Sequence, residues 1–270
     1  MRSLLGYIFS LVSLLSVVLA SAQVNTDQVL RIGQNALYFE DYMLSIQYFN
    51  QAIQAKPYLA QPYFLRAIAK LNLEDFRGAE EDASKAIELN PFLTDAWEVR
   101  GVARHNTGRH RLAVEDYTEA LKLLPRNRQL LFNKALALND LKEYGEAAEA
   151  FDEILRYYPR FENAYLGRAR TRLALADTAK ALEDIDKALE INKNALNAYI
   201  MRADIAINSE GDYEKALADI DYAIRLQPRA AGLYINRAFL RYKTDSYKGA
   251  MADYDYALTL EPYNMAALFN

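Results

Sequence analysis

A 34-residue period dominates this sequence. The segments AIQAKP, AIELNP, ALKLLP, AIRLQP and ALTLEP recur, ending at Pro57, Pro91, Pro125, Pro228 and Pro262. Pro159 closes a variant, ILRYYP, and Lys193 takes the proline slot in ALEINK. Successive ends lie 34 residues apart except from Lys193 to Pro228, where the step is 35. The extra residue is expected in the turn at Ser209-Glu210-Gly211-Asp212. A fixed period of this size means that each unit is one supersecondary element unable to bury its own apolar face, so neighbours must stack. Seven units begin near Thr26, Ala60, Thr94, Arg128, Glu162, Leu196 and Ala231.

With the proline as position 32, the remaining positions fall into register. Position 4 is large in five units (Tyr63, Trp97, Tyr165, Tyr199, Tyr234), with Val29 and Leu131 as smaller versions. Position 8 is always small: Gly33, Ala67, Gly101, Ala135, Ala169, Ala203 and Ala238. Position 20 is Ser45, Ala79, Ala113, Ala147, Ala181, Ala216 and Ala250. Position 27 is alanine except at Ile154. Small residues at 8 and 20 let two helix axes approach, and bulky residues at 4, 17 and 24 fill the gaps beside them. Proline after the second helix cannot continue it and sets the stop. In this pattern the chain resembles the tetratricopeptide repeat family over residues 23–264. The resemblance implies an all-α fold: a right-handed superhelical solenoid of seven antiparallel helix pairs. Met265 to Asn270 reads as the start of an eighth repeat, and Leu268-Phe269-Asn270 copies Leu131-Phe132-Asn133. The natural chain is expected to continue beyond it, because solenoids need polar caps.

Position 7 is Arg66, Arg100, Arg168, Arg202 and Arg237, with Ile32 and Lys134 in the first and fourth repeats. Position 23 is Asp82, Asp116, Asp184, Asp219 and Asp253, with Tyr48 and Ala150 in those same two repeats. Arginine and aspartate are present together or absent together. An unpaired charge among apolar residues is costly, and an arginine–carboxylate pair can be bidentate. The spacing therefore predicts five ion pairs, each joining the two helices of one repeat.

Little in the sequence suggests chemistry. The net charge is −4, and the charges are interleaved, with no basic stripe of the kind that tracks phosphates, so no nucleic-acid partner is expected. There is no cysteine, no H-E-x-x-H and no glycine-rich phosphate loop. The two histidines are His105 and His110. Their spacing of five is wrong for two ligands on one helical face, so no metal site is expected. His110 falls at position 17, where other repeats have Tyr42, Phe76, Tyr144, Tyr213 and Tyr247, and reads as a packing residue. Carboxylate pairs recur at the same repeat positions, as an ion-paired helix face would, so no catalytic residue and no cofactor are assigned.

Residues 1–22 have the layout of a secretory signal peptide. Arg2 supplies the positive start, Leu4 to Ala20 the apolar run, and Ala20-Ser21-Ala22 the cleavage site. A retained membrane anchor is the competing reading. Cleavage predicts an exported, periplasmic or cell-envelope protein with no remaining membrane segment. In the family, first helices line a concave groove and positions 2, 5, 6, 9, 12 and 13 face it. Carried onto this chain, those positions nominate Phe64, Leu65, Ile68, Phe132, Asn133, Leu136 and Asn139, then Arg170, Asp204, Asn236, Phe239 and Tyr242. Such a surface suits an extended or helical peptide with apolar anchors. The expected function is a non-catalytic scaffold for a protein or peptide partner. A sensory ectodomain of a longer signalling protein and an accessory module of an envelope enzyme are the alternatives.

Overall fold

A computed structural model of the chain describes residues 25–269, so the signal-peptide reading lies outside the described residues. All regular structure in the described residues is helical, and none of their helices is long and apolar enough to cross a membrane. The chain divides into two compact units, one ending at Leu141 and the other starting at Lys142.

The first unit holds α1 (Thr26–Tyr38), α2 (Tyr42–Ala55), α3 (Ala60–Asn72), α4 (Phe76–Leu89), α5 (Thr94–Asn106), α6 (His110–Leu123) and α7 (Arg128–Asp140). The second holds α8 (Tyr144–Tyr157), α9 (Glu162–Ala174), α10 (Thr178–Ile191), α11 (Leu196–Ile205), α12 (Tyr213–Leu226), α13 (Ala231–Lys243), α14 (Tyr247–Leu260) and α15 (Met265–Phe269). All seven first helices start at the residue that opens a sequence repeat. Within each unit, consecutive helices pack against one another.

Each first helix stops on a left-handed residue at position 15. These are Glu40, Glu74, Gly108, Lys142, Ala176, Gly211 and Asp245, with φ between 58° and 76°. Two of them are glycine, the residue that adopts this region without cost; the other five carry a Cβ into it. The following N–H then returns to the carbonyl of position 11, as from Asp41 to Ala36 at 2.8 Å and from Asp177 to Arg172 at 2.9 Å. In the sixth repeat the same bond, Asp212 to Ala206 at 2.9 Å, spans one more residue. A π-helical turn over Ala206–Glu210 widens to take it. The inserted residue is thus absorbed by a π turn that starts three residues before the expected segment and overlaps it at Ser209 and Glu210. Aspartates then cap the second helices: Asp41, Asp75, Asp177 and Asp212 each accept a hydrogen bond from the N–H three residues on.

Alanines at positions 8, 20 and 27 are buried throughout. Where position 8 is glycine, the approach leaves no room for a Cβ. A Cβ on Gly101 would sit 2.5 Å from Cε1 of Tyr117, and one on Gly33 would sit 2.7 Å from Cε1 of Phe49. Both aromatic rings are fully buried, so they have little room to yield.

Candidate functional site

A ladder of buried charge runs through the repeats. The Nε of Arg66 donates to Asp82 at 2.7 Å, Arg168 to Asp184 at 3.0 Å, Arg202 to Asp219 at 2.9 Å and Arg237 to Asp253 at 2.9 Å. Arg100 reaches Asp116 through Nη2 at 2.7 Å. The aspartate side chains are 1–8% exposed and these arginines 14–27%. Hydrogen bonds to Asp219 and Asp253 hold Arg202 and Arg237 above the ordinary guanidinium range, against the opposing effect of burial. Each guanidinium also lies over the ring at position 4 of its own helix, from 4.8 Å (Trp97) to 5.7 Å (Tyr63 and Tyr199) from the centroid.

The ladder has two further sets of partners. The remaining arm of each arginine reaches back to position 25 of the preceding repeat: Asn50, Ser84, Asp152, Asp186 and Asp221. Each arginine therefore joins two repeats as well as two helices, so the expectation of pairing within one repeat is incomplete. A second cation at position 11 shares the aspartate in four cases: Lys70, Arg104, Arg172 and Arg241. Ala206 holds that place in the sixth repeat and leaves Asp219 with Arg202. In the third repeat Arg104 and Arg109 also grip Glu80. Burial pushes the Glu80 carboxyl up, but both guanidiniums outweigh this and hold it below the usual carboxylate value.

With the arginines occupied inside the framework, the nominated surface residues sort into three groups. Leu65 is buried in a core cluster with Leu30, Phe49 and Ala52, which corrects its placement on the binding face. Phe64 and Ile68 are half-buried and pack on that same cluster. In the first unit, Asn133 and Leu136 line a cleft of about 260 Å³ with Val102, His105, Asn106 and Tyr117. Asn133 accepts from Gln129 at 2.8 Å and lies 3.4 Å from Glu98, whose carboxyl is pushed up by burial and by Asp95. Phe132 and Asn139 are half-buried on the same helix, α7.

In the second unit, Asp204, Asn236 and Phe239 meet in a cleft of about 230 Å³ with Ile207, Ile220, Ile235 and Tyr254. Burial raises the Asp204 carboxyl, and none of the described residues forms an ion pair with it. Phe239 remains 40% exposed. Tyr242 is exposed, edge-on to Tyr247 at 5.5 Å, and Arg170 is exposed on α9; neither lines this cleft.

The histidines overturn the argument from spacing. His105 is in the last turn of α5 and His110 opens α6, so they do not share a helix. The left-handed turn at Gly108 brings their rings to 4.9 Å, edge to face. His105 Nε2 lies 2.9 Å from an oxygen of Asp140, the last residue of α7. Burial, with the neighbouring His110, lowers the His105 pKa more than Asp140 raises it.

Helix pairs of this length, spacing and packing define the tetratricopeptide repeat class. Tetratricopeptide repeat family models match residues 64–115, 106–160 and 132–195, and another matches 204–269. The chain belongs to this family, whose repeats generally mediate protein–protein interaction and whose members are generally non-catalytic. No curated protein matches the sequence. Similar solved structures include the C-terminal part of a TPR repeat-containing protein from Cytophaga hutchinsonii (17% identity, 88% of this chain and 98% of that one, TM-score 0.70). A tetratricopeptide repeat protein from Parabacteroides merdae is 19% identical over 89% of this chain and 94% of its own, with TM-score 0.70. Pseudomonas aeruginosa pilF is 22% identical over 77% of this chain and 95% of its own, with TM-score 0.63. These likenesses establish the fold.

Proposed function

We propose that this protein is a non-catalytic scaffold of the cell envelope that holds a peptide segment of a partner protein against its first helices. The observation that carries this reading is the cleft of Asp204, Asn236 and Phe239. Its walls are apolar, Phe239 offers an exposed aromatic anchor, and Asp204 is an exposed carboxylate, raised by partial burial, without an ion-pair partner among the described residues. A carboxylate at the mouth of an apolar cleft gains from a cationic or N–H donor, and an amide beside it fixes orientation. The matching ligand is a peptide carrying a lysine or arginine next to an apolar residue. The framework arginines do not compete for this role, because their donors are spent on Asp82, Asp116, Asp184, Asp219 and Asp253 and on position 25.

The test is selection of peptides from a displayed library on the purified protein, followed by titration. Selected sequences should pair a basic with an apolar residue. Phe239→Ala and Asp204→Asn should each weaken binding by about 1–3 kcal/mol. Binding unchanged by both substitutions would refute the assignment. Export rests on residues 1–22, and N-terminal sequencing of protein recovered from the envelope should start at Gln23.

A further inference from the structure

His105, His110 and Asp140 converge from the ends of three helices, and each offers one ligand atom within 4.8 Å of the other two. Nothing in the repeat framework calls for this. Position 17, which His110 occupies, is Tyr or Phe in five sibling repeats, and a phenyl or phenol ring fills the same gap. Histidine instead leaves its Nδ1 buried with no hydrogen-bond partner among the described residues, a cost that buried polar atoms normally escape by finding one. The neighbouring cations do not oppose a metal ion here, since Arg104 and Arg109 are held by Asp116 and Glu80. We propose that His105, His110 and Asp140 form a binding site for a zinc-class divalent metal ion, tying the ends of α5, α6 and α7 together.

Two imidazoles and one carboxylate are donors suited to zinc and its first-row neighbours, whereas magnesium and calcium prefer all-oxygen sets. Zinc bonds of roughly 2.1 Å in a tetrahedron place ligand atoms about 3.4 Å apart. Separations of up to 4.8 Å must therefore close, and Asp140, the exposed member, has the most room to move. Three protein ligands leave one position for water. Because His105 also lines the first-unit cleft, that position lies beside a surface a ligand can reach.

The chain has two histidines and no cysteine, so the test is unusually direct. Untagged protein is titrated with zinc chloride, followed by calorimetry and by NMR of the two imidazole side chains. One equivalent should bind, both imidazoles should shift together, and cobalt should give the visible absorption of a tetrahedral site. His110→Tyr restores the sibling residue and should keep the fold. That variant and Asp140→Asn should each weaken zinc by at least ~10-fold, the lower end of what loss of a mere outer-shell partner costs. Zinc should raise the melting temperature of the parent protein and leave that of His110→Tyr unchanged. Imidazole signals indifferent to stoichiometric zinc, or undiminished binding in the His105→Gln/His110→Tyr protein, would overturn the proposal.

Discussion

Replacing Arg202 by methionine and Asp219 by leucine, singly and together, isolates one rung of the charge ladder. This pair is the cleanest of the five because Ala206 stands where other repeats place a second cation. Losing Arg202 strands a carboxylate that is 8% exposed, and breaking a buried pair in this way costs about 3–5 kcal/mol. Losing Asp219 is milder. Arg202 keeps Asp186 at 2.8 Å and is 27% exposed, so water can replace part of what is lost. The cost should be about 2–3 kcal/mol, the scale of charge-assisted hydrogen bonds. The double variant swaps both charges for apolar groups of similar volume and should cost less than Arg202→Met alone. The coupling energy should reach about 2 kcal/mol or more. A repeat array opens locally as well as globally, so urea unfolding should be joined by native-state hydrogen exchange of Leu196–Ile205 and Tyr213–Leu226. Single costs that add to within about 0.5 kcal/mol would refute the pairing as a stabilising interaction.

Other consequences follow from local geometry. Ala176→Gly removes a Cβ from a left-handed residue and should raise stability by about 0.5–1 kcal/mol once glycine's own chain entropy is subtracted; Gly108→Ala should lower it, and thermal unfolding reads both. Gly101→Ala drives a methyl into the buried Tyr117 ring and should cost about 1–3 kcal/mol by denaturant titration. Glu80 has a folded-state pKa below its unfolded value of 4.5, so its stabilisation is full above that pH and is lost as pH falls through the lower folded value. The stability gap between the parent protein and Glu80→Gln should accordingly shrink on acidification below pH 4.5, and equal gaps at neutral and acid pH would contradict the Arg104 and Arg109 contacts.

Much of this organisation is legible in the sequence because repetition makes each position its own control. Seven copies identify small residues at 8 and 20, and the joint absence of Arg and Asp in two repeats reports their contact. The reasoning stops where a partner varies. Ahead of the five arginine repeats position 25 is Asn, Ser or Asp, so its shared role as acceptor for the next repeat's arginine leaves no residue signature. The left-handed residue at 15 is hidden because Glu, Lys, Ala and Asp occupy it alongside glycine. Leu65 lies off the groove because a position that faces it in one repeat can be closed over by core packing in another. Helical periodicity does not govern the spacing of His105 and His110, because the helix stops between them. Gly108, between them, was the available clue that the chain reverses there.

The separation of framework from binding surface can be tested along one helix, Ala231–Lys243. Arg237→Met removes a framework guanidinium while Arg241 still neutralises Asp253 at 2.8 Å. Asn236→Ala with Phe239→Ala strips the adjoining cleft. Each protein is scored for melting temperature and for affinity toward the selected peptide. Arg237→Met should melt lower and bind as the parent does, and the cleft variant should melt like the parent and bind weakly. Peptide affinity lost in Arg237→Met and kept in the cleft variant would contradict the division of roles described here.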